Sequence, residues 1–197
     1  MTVLFHGSFG LNRAYMSGIM KSAMANPKYK DRQLASPFKY GAPFASRYRS
    51  WLHKCGMTEL GLPMKLTPMG KIVYKKDPAL KTITSQWFLH HELVTDPERA
   101  EAWHFFVKEF LPQNTSFTKE RLLMGLMEKL RIHSEQHFGP GSTLNKTILR
   151  KIIEVYTEEH GLGQLGIIKS EGDRFVTLNP KSKGPWRTTA SLEKAYK

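Results

Sequence analysis

The sequence lacks the defining features of several protein classes. It has a single cysteine, Cys55, among 197 residues, which excludes an internal disulfide. Its longest apolar runs are a few residues, as at 87–89, whereas a helix that spans a bilayer needs roughly 20. We therefore exclude a disulfide-stapled scaffold and a membrane-spanning helix. We expect a cytoplasmic protein without a membrane partner.

Acidic residues are scarce at one end of the chain. Residues 1–81 contain 14 Lys and Arg against 3 Asp and Glu, a net charge of +11. Residues 82–180 contain 11 against 13, a net charge of −2, and residues 181–197 contain 5 against 1, a net charge of +4. One interpretation is a generally basic surface. The asymmetry favours a localised polyanion-binding face and a nucleic-acid partner. A membrane surface is less favoured, because the basic residues are not on one long amphipathic helix.

Motifs for nucleotide or metal chemistry are also sparse. The chain has no phosphate-cradling P-loop, no Cys-x-x-Cys zinc spacing and no nucleophile elbow, so no cofactor is predicted. The one cluster with metal-binding residue types is His90, His91 and Glu92 with the pair Glu101-x-x-His104. Carboxylate metal sites need further acids on facing helices, so we predict no metal site and assign no catalytic residue.

The first predicted block is 1–80. A helix is predicted over 12–25, followed by a basic connector that contains Lys28, Lys30 and Arg32. A second helix is predicted over about 43–55, because its apolar residues at 44, 48, 51, 52 and 55 form one stripe. Gly56 follows this stripe, and glycine is the residue that most often ends a helix. Residues 57–78 are then predicted as two extended pieces around a turn, or as a turn followed by a helix from Pro68.

Two further blocks and a tail complete the predicted architecture. Residues 81–111 form a central helical hairpin, in which Asp96 caps the second helix. Residues 112–180 contain helices capped by Thr118 and Ser142, and then a hairpin that turns at 171–173. Residues 181–197 form a basic tail, expected to be mobile. The predicted fold class is mainly α with short β-hairpins (α+β), as two winged helix-turn-helix-like units joined by the central hairpin.

The predicted DNA contacts lie on two helices. A helix in the major groove reads bases with polar and basic side chains, while other cations hold phosphates. The helix at 43–55 offers such side chains on the face opposite its apolar stripe, and the helix after Ser142 offers them in its first half. The predicted nucleic-acid-binding residues are Lys39, Arg47, Arg49, Ser50, Lys54, Asn145, Lys146 and Arg150.

Several stretches resemble a known bacterial family. They are FHGSFGLNRAYMSGIMKSA, GAPFASRYRSWLHKCGM, LTPMGKIVYKKDPAL, QWFLHHELVTDPERAEAWHFFVKEF and LGIIKSEGDRF. The chain resembles the SspB-like family of DNA phosphorothioation clusters, which is encoded beside proteins similar to phosphoadenosine-phosphosulfate (PAPS) reductase. More weakly, it resembles the small helical BrxA-like DNA-binding proteins of BREX phage-defence systems.

The resemblance implies a helical DNA-binding protein in a DNA-modification and antiviral defence system. A non-enzymatic DNA-binding component is the leading hypothesis. Metal-dependent DNA nicking is the first alternative, although no catalytic motif can be matched residue by residue. The second alternative is an assembly adaptor that docks other proteins of the modification complex through the aromatic central hairpin.

Overall fold

The chain is mainly helical, with one small antiparallel sheet, in the computed structural model, which describes residues 3–197. The α-helices of these residues are α1 (Arg13–Ala25), α2 (Asp31–Ala35), α3 (Ala42–Lys54), α4 (Pro68–Lys76), α5 (Ile83–Thr95), α6 (Pro97–His104), α7 (Lys119–Leu130), α8 (Glu135–Phe138), α9 (Thr143–Thr157) and α10 (Thr189–Lys194). The strands are β1 (Ser116–Thr118), β2 (Ile168–Glu171) and β3 (Arg174–Thr177). The prediction of a mainly helical chain is confirmed, and its β-structure is one three-stranded antiparallel sheet where the sequence predicts short hairpins. No helix within 3–197 is long and apolar enough to cross a membrane.

The chain divides into two compact units. The basic unit is Phe5–Leu93 with Ser182–Lys197, and the neutral unit is Val94–Lys181 with residues 3–4. The basic unit holds 18 Lys and Arg against 5 Asp and Glu, a net charge of +13. The neutral unit holds 12 against 12, a net charge of zero. The whole net charge of the protein therefore resides in one unit. The border after Leu93 lies inside α5, and the sequence does not mark it because α5 contains no Pro or Gly.

Helices α1 and α3 form as predicted. Asn12 caps α1 by accepting a hydrogen bond from the backbone N–H of Tyr15. The whole predicted apolar stripe of α3 is buried, from Phe44 to Cys55. Gly56 follows with φ +72°, a conformation that glycine adopts without steric cost. The sequence pattern does not predict α2, because five residues are too few to show a helical apolar period.

The segment after Gly56 is a loop followed by a helix. A single antiparallel bridge joins Thr58 to Leu66. Of the first predicted hairpin, only this pair of residues at its base is formed. Helix α4 begins at Pro68, as in the second of the two predictions for this segment. Thr67 caps it, since its Oγ1 accepts from the N–H of Gly70 at 2.8 Å and donates to the carbonyl of Gly56 at 2.6 Å.

The C-terminal tail packs on other elements of the basic unit, whereas its composition predicts a mobile tail. Helix α10 contacts α4 and buries Leu192 completely. The Tyr196 hydroxyl lies 2.7 Å from Ser85 Oγ, which donates to the Asp77 carboxylate at 2.6 Å. Burial raises the pKa of Tyr196 to about 12. Burial alone would raise the pKa of Asp77, but hydrogen bonds from Ser85 and Thr82 and from the backbone outweigh it and lower that pKa.

The neutral unit contains the sheet and the remaining helices. The predicted caps are confirmed: Asp96 caps α6, Thr118 caps α7 and Ser142 caps α9. After α6 the chain continues as a π-helical turn over Phe105–Phe110 and a short 3₁₀ turn. Strands β2 and β3 form the predicted hairpin, and β1 pairs with β3 to give the order β1-β3-β2. The sequence does not reveal β1, whose three residues show only one buried side chain.

Candidate nucleic-acid interface

A set of exposed cations of the basic unit lies outside α3. These cations lie just before and at the start of α2, in the loop before α4, on α4 and on the tail. None of them forms an ion pair within residues 3–197. They are Lys28, Lys30, Arg32, Lys65, Lys71, Lys75, Lys194 and Lys197. The packing of α10 on α4 adds the last two to the lysines of α4.

Three of these cations could have been found from the sequence, because residues 28–32 have the spacing Lys-x-Lys-x-Arg. The prediction of site residues did not use it, because it lies between helices rather than on a groove-sized helix. The structure places Lys30 at the N-cap of α2 and Arg32 in its first turn, both exposed. Exposed cations on a short helix can contact phosphates without any base contact.

The predicted DNA-facing strip of α3 is largely engaged within the protein. Arg47 Nη1 donates to the carbonyl of Phe5 at 3.2 Å. Its guanidinium also packs against Gly7, where an added Cβ would lie 3.0 Å from Arg47 Nε. Ser50 Oγ donates to the carbonyl of Ser46 at 3.1 Å, within the helix itself. Both side chains are half-buried, and these contacts hold them against the protein.

Arg49 connects three segments of the basic unit by hydrogen bonds. Its Nε and Nη2 donate to the two oxygens of Asp31 at 2.6 and 3.0 Å, and its Nη1 donates to the carbonyl of Gly61 at 3.2 Å. The two ion-paired side chains are only 18% and 22% exposed. A guanidinium that makes a paired contact with a carboxylate is strongly oriented by it. Arg49 therefore links α3, the start of α2 and the loop before α4.

The other two predicted residues of this region differ in accessibility. Lys54 lies at the end of α3 with its Nζ 5.8 Å from the centre of the Phe5 ring, in cation–π range. Lys39 is exposed and has φ +59°, at the end of the short 3₁₀ turn Ser36–Phe38. Of the predicted residues in the basic unit, Lys39 presents the most accessible charge to solvent.

The three predicted DNA-contact residues of α9 differ in how deeply they are buried. Asn145 is 1% exposed, and its amide donates to the carbonyl of Phe138 at 2.6 Å, so this side chain holds α8 to α9 and has no face to offer to a duplex. Lys146 is exposed. The Arg150 side chain is 61% exposed, but its Nε lies 3.7 Å from a Glu154 oxygen. The surface strip of α9 is thus reduced to Lys146 and a partly neutralised Arg150.

The histidine and glutamate residues considered for metal binding have separate partners. Glu101 Oε2 lies 2.7 Å from His133 Nε2, while His104 Nδ1 lies 2.8 Å from the carbonyl of Val94. His90 is buried, and His91 Nε2 lies 2.7 Å from the carbonyl of Lys183. Within the described part of the chain, no three His, Cys, Asp or Glu side chains are grouped to hold a metal ion.

Exchanging Arg49 or Lys39 for glutamine should separate a structural role from a binding role. We expect Arg49→Gln to lower the free energy of unfolding by about 1–2 kcal/mol, because Asp31 would then lack a charged partner in a poorly exposed position. The slope of its log K against log salt should stay within about half a unit of the wild-type slope, because Arg49 itself holds no phosphate. Lys39→Gln should leave the melting temperature unchanged. It should make the slope of log K against log salt shallower by about one unit, which corresponds to the loss of one phosphate contact. A tenfold loss of affinity in Arg49→Gln without loss of stability would contradict the assignment.

The chain matches the family described as "Protein of unknown function (DUF4007)" over residues 6–175. A search of curated proteins found no match.

Two solved structures share the fold, "Magnesium ion-bound SspB crystal structure" and "SspB crystal structure". Each has a TM-score of 0.65 and 14% sequence identity over 92% of this chain. The chain spans 61% of the length of the SspB chain in each case. The predicted resemblance to SspB is confirmed as a likeness of fold.

Proposed function

This chain belongs to the DUF4007 family, and we propose that it is a DNA-binding component of a bacterial DNA-modification and phage-defence system. The likeness to SspB supports a phosphorothioation system as its setting, with BREX as the other defence context that the sequence suggests. Its partners are then duplex DNA and other proteins of the modification complex.

The partition of charge between the two units carries the proposal. All of the net charge of +13 lies in the basic unit, and the neutral unit has none. A chain that needed charge only to remain dispersed in water would have no reason to concentrate it. Within the basic unit Asp77 is buried, Asp31 is paired with Arg49, and Glu193 lies 3.8 Å from Lys76 of α4, so these three acids leave the other exposed cations unpaired. Such a surface suits the phosphates of a duplex.

The groups that contact DNA are proposed to be mostly phosphate-binding cations. The two arginines of α3 that could form paired contacts with guanine, Arg47 and Arg49, are engaged inside the protein. Lys39, Lys30 and Arg32 are exposed and positioned to hold the backbone. Affinity would then come mainly from electrostatics, with weak preference among base sequences.

A finer proposal concerns the neutral unit. The element order β1, α7, α8, α9, β2, β3 and the strand order β1-β3-β2 support a winged-helix arrangement in which α9 takes the position of the recognition helix. Its Lys146 is exposed, but the unit has no net charge and Arg150 is near Glu154. We assign α9 a secondary contact with DNA. The first half of the chain, with its single β-bridge, supports a winged helix less well.

The salt dependence of duplex binding tests the function. With about six phosphate contacts, log K should fall against log salt with a slope of about −5, which lowers affinity by about 10³-fold between 50 and 200 mM salt. The measurement is fluorescence anisotropy of the full chain with a labelled random-sequence duplex. Supercoiled plasmid with Mg²⁺ or Mn²⁺ is incubated in parallel, where nicking would favour the enzymatic alternative. Affinity that is independent of salt, or absent at 50 mM salt, would overturn the proposal.

A further inference from the structure

The loop between α3 and α4 presents two leucines to solvent. Leu60 is 81% exposed and Leu62 is 40% exposed, whereas Met64 in the same loop is buried. Leu60 is the most exposed large apolar side chain of the described residues. Leu60 in particular is covered little by the rest of the chain, and two neighbouring leucines exposed at a loop tip suggest an external contact.

The loop is held in a fixed shape. The antiparallel bridge of Thr58 with Leu66 closes its root, and the N–H of Glu59 donates to the carbonyl of Lys65 at 2.9 Å. At its tip, Arg49 Nη1 donates to the carbonyl of Gly61, the residue between the two leucines. The leucines are therefore presented by a preformed loop, which reduces the entropy cost of insertion into a partner.

The same arginine places the leucines beside positive charge. Because its guanidinium contacts both Asp31 and Gly61, the loop tip and the start of α2 lie on opposite sides of one guanidinium group. The exposed Lys30 and Arg32 flank Asp31 in sequence, and exposed Lys65 ends the loop. Glu59, on the other limb, is the one acidic residue of the loop. Asp31 itself is neutralised by Arg49.

Apolar side chains bordered by cations match the surface of DNA at an opened base step. Proteins that deform DNA insert Leu, Pro, Phe or Met between stacked bases from the minor groove while flanking cations hold the phosphates. An apolar pocket of a protein partner would also accept leucine, but it would have to be bordered by acids to match these cations. We infer that Leu60 and Leu62 form a wedge that enters the minor groove and unstacks a base step of the bound duplex. This inference rests on the duplex binding proposed above.

The test is an unstacking measurement on the full chain. A duplex with 2-aminopurine at a TA step is titrated with protein at low salt, since pyrimidine–purine steps unstack most easily. We expect wild type to raise the 2-aminopurine fluorescence at least about threefold. The double variant Leu60→Ser with Leu62→Ser should lose most of this increase while keeping the salt slope of binding. Both side chains are exposed, so the fold should tolerate the change; an unchanged melting temperature checks this.

The control is a matched apolar pair on the neutral unit. Met124 and Ile132 are 58% and 76% exposed, and Met124→Ser with Ile132→Ser should behave like wild type. If wild type binds with a steep salt slope but leaves the fluorescence unchanged, the wedge is wrong and the proposed function stands. If wild type does not bind the duplex, the proposed function fails first. Equal unstacking by the leucine variant and wild type would also overturn the wedge and favour a protein contact for this loop.

Discussion

Replacing Lys28, Lys30 and Arg32 together with glutamine should weaken duplex binding by about 100-fold at about 100 mM salt. Each cation that binds a phosphate contributes about 0.9 to the slope of log K against log salt, so the slope should become shallower by about 2–3 units. All three side chains are exposed and lie outside ion pairs in residues 3–197, so the melting temperature should stay constant. The measurement is duplex anisotropy at a series of salt concentrations.

The neutral unit supplies a control of identical charge change. Lys108, Lys119 and Arg131 are exposed there, and their joint replacement by glutamine also removes three positive charges. We expect this triple variant to bind less than about threefold more weakly than wild type. Equal effects in the two triple variants would mean that total charge attracts DNA and that the basic unit is not a specific surface. The comparison therefore tests whether the position of the removed cations matters, since both variants lose the same number of positive charges.

Replacing Gly70 with alanine should strongly destabilise the basic unit. A Cβ on Gly70 would overlap the carbonyl oxygen of Met57 and lie 2.8 Å from its carbon, which is closer than atoms can pack. The backbone at Met57 cannot yield easily, because its carbonyl accepts from the N–H of Thr67 at 3.1 Å. We expect the free energy of unfolding to fall by about 3 kcal/mol or more, seen as a decrease in melting temperature of roughly 10 °C.

The exposed neighbour Lys71 gives the comparison for this variant. Lys71→Ala lies in the same helix and should change stability by less than about 0.5 kcal/mol. A Gly70→Ala variant as stable as wild type would show that α4 can move away from Met57. The result also concerns the leucine loop, because Thr67 and Gly70 close its root against Gly56 and Met57. A shifted α4 should lower the unstacking signal.

Local signals in the sequence predict most helices and their ends. The caps Asp96, Thr118 and Ser142 act within one turn of their own helix, and the buried stripe of α3 follows from its 3.6-residue period. Elements below about five residues leave no such period, which is why α8 and β1 are not predicted. The packing of the tail is not predicted for another reason. Its composition is that of a loop, while its attachment comes from α10, which contacts α4, and from Tyr196, whose hydroxyl lies 2.7 Å from Ser85 Oγ.

The helical class, the principal caps and the excess of cations near the start of the chain follow from the amino-acid sequence alone. These depend on composition and on neighbours within a few residues. Which cations are available depends on the tertiary structure. The tail packs on α4 and α5, so the charge of +13 gathers in one unit, and Arg47 and Arg49 are directed to the carbonyl of Phe5 and to Asp31. A helical spacing predicts which residues share a face, but whether that face meets solvent depends on segments that arrive from elsewhere in the chain.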